Sequence, residues 1–253
     1  MGLSLHYQVH LADCDRTKAG ELVQKLHRHA EEFVRAKAID QVLPISSDHE
    51  DLERFALRWL SLPDPDDPHT IHGVEVKAID GWIFPVILGD GCEPLWLGLC
   101  RYPAFVHHGG RELPTTAGDG WCFQSACKTQ YASQHGWEHF HRCHTSAILL
   151  IDTWTEFGAK LHILDEGEWW PQRSDATLRR KLDEMNGLVA AFAGAMKDAA
   201  DEGGPAVASP IFADPNFERL EAAGVARHGA KLEAAKKIVA DAARDGAAGP
   251  ASI

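Results

Sequence analysis

The chain reads as an α+β protein, a mixed β-sheet with βαβ units followed by C-terminal helices, and three stretches predict it. At the start, Leu3, Leu5, Tyr7, Val9 and Leu11 alternate with Ser4, His6, Gln8 and His10, the period of two that marks a half-buried strand. Residues 121–170 run strand, helix, strand in their hydrophobic rhythm. Residues 176–200 then carry Leu178, Leu182, Met185, Leu188, Val189 and Phe192 at steps of three and four, the apolar face of a helix. Strand–helix–strand at both ends of the core points to a duplicated split-βαβ, ferredoxin-like arrangement, with pseudo-repeats over about residues 1–105 and 120–200. The expected organisation is a core domain over 1–200, a linker over 201–215, a helical extension over 216–246 and a flexible tail over 247–253.

Each element has a local cause. Asp13, Asp15 and Thr17 offer capping oxygens to a helix whose Leu22, Leu26, Ala30 and Phe33 share a face. Ala38 to Ile45 is a short apolar run, a second strand. Ser47 with Glu50 three residues later has the form of a capping box, opening a helix in which Leu52, Phe55, Ala56 and Trp59 align. Pro63 to Pro68, reading PDPDDP, is a loop. Val74 to Leu88 and Leu95 to Tyr102 read as strands, with Asp80-Gly81 and Asp90-Gly91 as turns. His107 to Gly120 reads as an irregular connection. Trp121 to Tyr131 is then a strand, Gln134 to Phe157 a helix stopped by Gly158, and Lys160 to Leu164 the next strand.

Composition removes whole classes of function. A net charge of −12 opposes binding to nucleic-acid phosphates or to an anionic membrane surface. Met1 to Leu11 lacks the basic-then-apolar form of a signal peptide, and the run Ala147 to Ile151 is too short to span a bilayer. The six cysteines, at 14, 92, 100, 122, 127 and 143, form no CxxC pair, so no zinc ribbon or dithiol redox motif is signalled. The expectation is a cytoplasmic protein with reduced thiols.

The chemistry concentrates in residues 121–170. A strand–helix–strand crossover brings the end of the first strand, the start of the helix and the end of the second strand to one edge of the sheet. Lys128, Gln130 and Tyr131 are therefore expected near His135, His139, Asp165 and Glu166. Phe140, His144, Ala147, Ile151 and Trp154 fall on one helical face, so His144 points into the core, where a strand-end carboxylate is its natural partner. His139 and Cys143 share a flanking face, and His141 points more nearly to solvent. Three readings follow. In the leading one the chain binds a small molecule, as an enzyme, with His144 as general base or acid, Asp165 or Glu166 orienting it, and Lys128 and Arg142 holding an anion. Gln130, Tyr131 and Trp169 would complete that pocket. In the second, the same residues form a buried polar network in a non-catalytic assembly protein, with the C-terminal helix as a homo-oligomer contact. In the third, His135 and His139, with His144 and Asp165 or Glu166, hold a divalent transition metal. A reactive Cys127 beside Lys128 is a further candidate, against the plainer reading of a small buried hydrophobe.

The stretches CKTQYAS (Cys127 to Ser133), FHRCH (Phe140 to His144) and LDEGEWW (Leu164 to Trp170) resemble a family of uncharacterised bacterial proteins. The resemblance extends through Phe192-Ala193-Gly194 towards Pro210-Ile211-Phe212 and so covers mainly the second half. It implies no activity, fold or cofactor. The chain departs from that pattern at His141 and in its histidines at the helix start, which favours Lys128, Gln130, Tyr131, Arg142, His144, Asp165 and Glu166 over His135 and His139.

Overall fold

The computed structural model describes residues 3–12, 14–63, 71–115, 120–201, 209–229 and 232. In chain order it contains β1 (Ser4–Leu11), α1 (Arg16–Arg35), β2 (Gln41–Val42), α2 (His49–Phe55), β3 (Arg58–Pro63), β4 (Ile71–Val76), β5 (Asp80–Ile87) and β6 (Leu95–Arg101). There follow β7 (Phe105–His108), β8 (Arg111–Pro114), β9 (Trp121–Lys128), a 3-10 turn (Gln130–His135), α3 (Trp137–Glu156), β10 (Lys160–Asp165) and α4 (Asp175–Asp201). A second 3-10 turn (Pro210–Ala213) and α5 (residues 217–229) complete the described chain. The PDPDDP loop beyond Pro63, most of the linker and the tail lie outside the described residues, as do Ile238 and Val239.

The α+β class read from the sequence is the one the chain adopts, with one refinement in strand direction. Six strands form a sheet in the order β10-β1-β9-β6-β5-β2, and every hydrogen-bonded pair in it is antiparallel. Parallel direction survives only between strands one apart. β9 and β10 are parallel across β1, and β1 and β6 are parallel across β9, so two split βαβ units interleave, each filling the gap of the other. The first runs β1, α1 and on to β6, and the second runs β9, α3, β10. α1 and α3 pack on one face of the sheet, over Leu5, Tyr7, Val9 and Leu11 of β1 and Trp121, Phe123 and Cys127 of β9, all buried. The hydrophobic effect explains the asymmetry of β1: its apolar positions are 0–6% exposed, while Ser4, His6, Gln8 and His10 face the other way.

The structure realises some of the local signals and not others. Asp15 caps α1 as expected, its Oδ1 accepting from the Lys18 amide at 2.8 Å. α3 ends at the left-handed Gly158. The Ser47/Glu50 box does not form; Asp48 occupies the cap, and its amide donates to Ser46 Oγ instead. Trp59 belongs to β3 and not to the α2 face, and β2 has only two residues. Asp80-Gly81 opens β5 instead of turning the chain, and the segment after Pro103 is a β7–β8 hairpin turned at Gly109-Gly110. Gln130, Tyr131 and His135 lie in a 3-10 turn, since Gly136, at φ 96°, separates them from α3.

The chain divides into two compact units: Ser4–Arg173, which holds all the described strands, and Met1–Leu3 with Ser174–Ile253. α4 thus groups with the C-terminal segment, whereas the sequence put it in the core domain. Within that second unit Ala190, Ala193, Ile211 and Leu220 form a small apolar core, with Val189, Phe212 and Phe217 against it. α4 and α5 approach closely where Gly187 meets Gly224, because a Cβ on Gly224 would lie 1.9 Å from the Gly187 carbonyl oxygen. No described helix is long and apolar enough to cross a membrane.

Candidate functional site

The strand-end edge is where the sequence placed the chemistry, and polar groups do meet there. His144, carried inwards by the core face of α3, is fully buried. Its Nε2 lies 3.1 Å from Asp165 Oδ1 at the end of β10, the partnership expected from the helical face. Its Nδ1 lies 2.8 Å from the hydroxyl of Thr129, the residue directly after β9. Asp165 also accepts the backbone amides of Gly167, at 2.7 Å on Oδ1, and of Trp169 and Trp170, at 2.7 and 2.9 Å on Oδ2. Burial pushes the Asp165 carboxyl up, but the hydrogen bond and charge of His144 and the amides of Trp170 and Gly167 outweigh it and hold the group below the usual carboxylate range. An ionised Asp165 requires Nε2 to donate, and the Thr129 hydroxyl, able to donate or to accept, partners Nδ1.

Hydroxyl, imidazole and carboxylate in a row have the connectivity of a nucleophilic triad. Access decides against that use. Thr129 and His144 are 0% exposed and Asp165 is 8% exposed, so no substrate atom reaches the hydroxyl. What the row does is tie the end of β9, the second turn of α3 and the 165–170 loop together, with every polar atom of the row partnered. Thr129 is the member that sequence reasoning missed; its position between a strand end and a helix was the available signal.

The other expected site residues do not converge on His144. Lys128 sits on the opposite face of the sheet, since Cys122, Gln124, Ala126 and Lys128 alternate with the helix-facing residues of β9, and its ammonium lies 4.7 Å from the Tyr131 ring. Glu166 is exposed, and its Oε2 accepts the Ser4 amide at 2.7 Å. Arg142 donates to the carbonyls of Ala38 (3.1 Å) and Leu88 (3.3 Å) and to Asp40 Oδ1 (3.3 Å), so its anion-binding capacity is occupied by its own chain. Gln130 is fully buried and Trp169 is 7% exposed. His135 and His139 have ring centroids 5.1 Å apart, but His139 Nε2 is engaged with the Asp90 carbonyl and His144 turns away towards Asp165. Among the described residues no group of three or more His, Cys, Asp or Glu could hold a metal ion. Cys127 is buried with its thiol on the Glu93 carbonyl, and burial, then the charge of Glu93, push it up, away from thiolate character.

The open space lies on the face of the same sheet opposite α1 and α3. A cleft of about 510 Å³ is lined there by His6 and Gln8 of β1, Gln124 of β9, His162 of β10, Phe55 at the end of α2 and Leu57 just after it. Register builds it. Gln8 pairs with His162 on one side and Gln124 on the other, giving a polar rung across three strands. His6 is the diagonal neighbour of His162, about 7–8 Å away in such a pair. Phe55 forms a wall because its ring stacks on Trp96 of β6, centroids 4.0 Å apart and 15° from parallel. A smaller hollow of about 70 Å³ shares Gln8 and Gln124 and extends to Arg58, whose guanidinium donates to Cys122 Sγ at 3.3 Å. None of the residues lining the larger cleft is Asp, Glu, Lys or Arg. The alternation of β1 was legible in the sequence, whereas the pairing that brings His162 beside it was not.

No family model, no curated protein and no solved structure matches the chain, so the reading of this site rests on its own geometry.

Proposed function

We propose that this protein binds a small, planar, hydrogen-bonding molecule in the cleft on the face of the sheet opposite α1 and α3. The observation that carries the proposal is the polar rung of Gln8, Gln124 and His162 at the floor of a cleft of about 510 Å³. Amide and imidazole side chains offer both donors and acceptors, and the Phe55 ring offers a stacking wall. Both favour a flat heterocyclic body over a charged chain. Arg58, at the end of the adjoining hollow, suits an acceptor or anionic substituent on that body. Should the protein act as an enzyme, His6 and His162 are the acid–base groups positioned to touch the bound molecule. Six free cysteines suit a reducing compartment such as the cytoplasm.

The test is a thermal-shift screen of small heterocycles against the native protein, the double variant Gln8→Ala/His162→Ala, and Arg142→Ala as a strand-end control. A ligand at a hundred times its Kd adds about 2.7 kcal/mol of stability. The reading requires that rise in the native protein and in Arg142→Ala, and its loss in the double variant. Hits that survive the double variant and vanish in Arg142→Ala would return the site to the strand-end edge.

A second reading has one observation in its favour. Leu164 is 56% exposed at the rim of the same face, which suits self-association through the sheet better than through α5, already packed on α4. Sedimentation across a range of concentrations, with Leu164→Lys as the disrupting variant, separates this reading from ligand binding.

A further inference from the structure

One cluster is used by neither the buried row nor the cleft. Chain segment 88–92, between β5 and β6, lies directly on the first turns of α3. A Cβ on Gly89 would come 2.8 Å from Cys143 Sγ, 2.8 Å from an Arg142 guanidinium nitrogen and 2.9 Å from the His139 ring, so only glycine permits this approach. The segment then turns, the Cys92 amide donating to the Gly89 carbonyl at 3.2 Å, and this brings the Cys92 thiol against Cys143. Cys143 Sγ is 3.5 Å from the Leu88 carbonyl and 3.7 Å from His139 Nε2, while Arg142 bonds the same Leu88 carbonyl. No spacing signal marks the pair, because Cys92 and Cys143 share no motif and meet only through the Gly89 approach.

We propose that Cys92 and Cys143 are a redox pair that closes to an intramolecular disulfide when the protein meets a hydroperoxide. Cys143 is fully buried and Cys92 is half-buried, so the oxidant meets Cys92. The Cys92 hydrogen bond, more than the Arg142 charge, lowers Cys143 against the effect of burial. The Cys92 thiol passes its proton to solvent as its sulfur attacks one peroxide oxygen. The S–O bond forms, the O–O bond breaks, and hydroxide leaves to be protonated by solvent. Cys143 then attacks the sulfur of the resulting sulfenic acid; the S–S bond forms, the S–O bond breaks, and water departs with the Cys143 proton. Two thiols lose two electrons and one peroxide becomes two waters. Cys92 is itself pushed up by the Cys143 hydrogen bond and then by burial, so the chemistry is that of a sensor and not of a fast peroxidase. Closure would fasten the 88–92 turn covalently to α3. It is independent of any ligand in the cleft.

The experiment treats the full-length, untagged chain with limiting hydrogen peroxide, then denatures it in an alkylating agent and maps its peptides by mass spectrometry. The expected product has four alkylated cysteines and a mass about 2 Da below the reduced protein before alkylation, with a cross-linked pair of peptides carrying Cys92 and Cys143. Cys143→Ser should leave a trapped sulfenic acid on Cys92 and no disulfide; Cys92→Ser should leave Cys143 unoxidised. Six alkylated cysteines after treatment of the native protein would overturn the proposal. So would a cross-link between Cys100 and Cys122, which face each other directly on β6 and β9 and serve as the internal comparison. The native protein's map decides the matter even if Cys143→Ser folds poorly, since Cys92→Ser changes only a half-buried side chain.

Discussion

The strand-end edge and the cleft face of this sheet are both rich in histidine and amide side chains, yet they differ in what those side chains are free to do. At the edge, Thr129, His144 and Asp165 satisfy one another and the amides of the 165–170 loop, and Arg142 satisfies two carbonyls and Asp40. On the face, His6, Gln8, Gln124 and His162 stand around open volume. Burial separates the two cases. A polar group taken out of water must find partners or cost free energy, so a buried cluster that is fully partnered is explained by folding alone. The polar groups around the cleft are not tied up by one another, and ligand binding is the reading we propose for them.

The largest expected effect lies at the edge. Asp165→Ala strips the carboxylate from His144 and three backbone amides, and each buried donor left without a partner costs about 1–3 kcal/mol. Urea denaturation should report that loss; a change below about 1 kcal/mol would show that the edge is not holding the fold. Acid dependence follows with a defined sign. The folded Asp165 carboxyl titrates below its unfolded value of about 4, so its contribution is complete above that pH and is lost as pH falls through the lower, folded value. The melting temperature should therefore drop steeply below about pH 4, and Asp165→Asn should flatten that drop. Equal slopes for the two proteins would remove Asp165 as the cause.

Smaller effects sharpen the contrast. Lys128→Ala removes a half-exposed ammonium from the Tyr131 ring and should cost only about 0.5–1 kcal/mol, far less than a catalytic or buried ion pair. On the face, Gln8→Ala and His162→Ala should each change stability by no more than about 0.5 kcal/mol in chemical denaturation while removing ligand response. A loss above about 2 kcal/mol at either position would mean that the rung is itself structural.

Much of the fold was legible because periodicity reports burial directly. The alternation of β1 assigned each of its side chains to the correct face, and the spacing of Phe140, His144, Ala147, Ile151 and Trp154 sent His144 inwards to a carboxylate that proved to be Asp165. The β7–β8 hairpin was hidden because its polar His107, His108, Arg111 and Glu112 blur any apolar alternation in strands of four residues. The cleft was hidden for a different reason. His162 carries no spacing signal of its own, and only the long-range register of β10 on β1 and of β1 on β9 places it beside Gln8 and opposite the side of Gln124. Proximity along the chain drew attention to the histidines at the start of α3, whereas the residues that share a surface come from three distant strands. The same limit applies to Cys92 and Cys143, which meet through the close approach of Gly89.

Histidine footprinting with diethylpyrocarbonate tests the central contrast most directly, because it reads the availability of imidazole nitrogens in the native protein without a known ligand. The account predicts rapid modification of His6 and His162, located by peptide mass spectrometry, and protection of His144 until the protein is unfolded. Modification of His144 in the folded protein at a rate comparable to His162 would contradict it, and would reopen the strand-end edge as a site of chemistry.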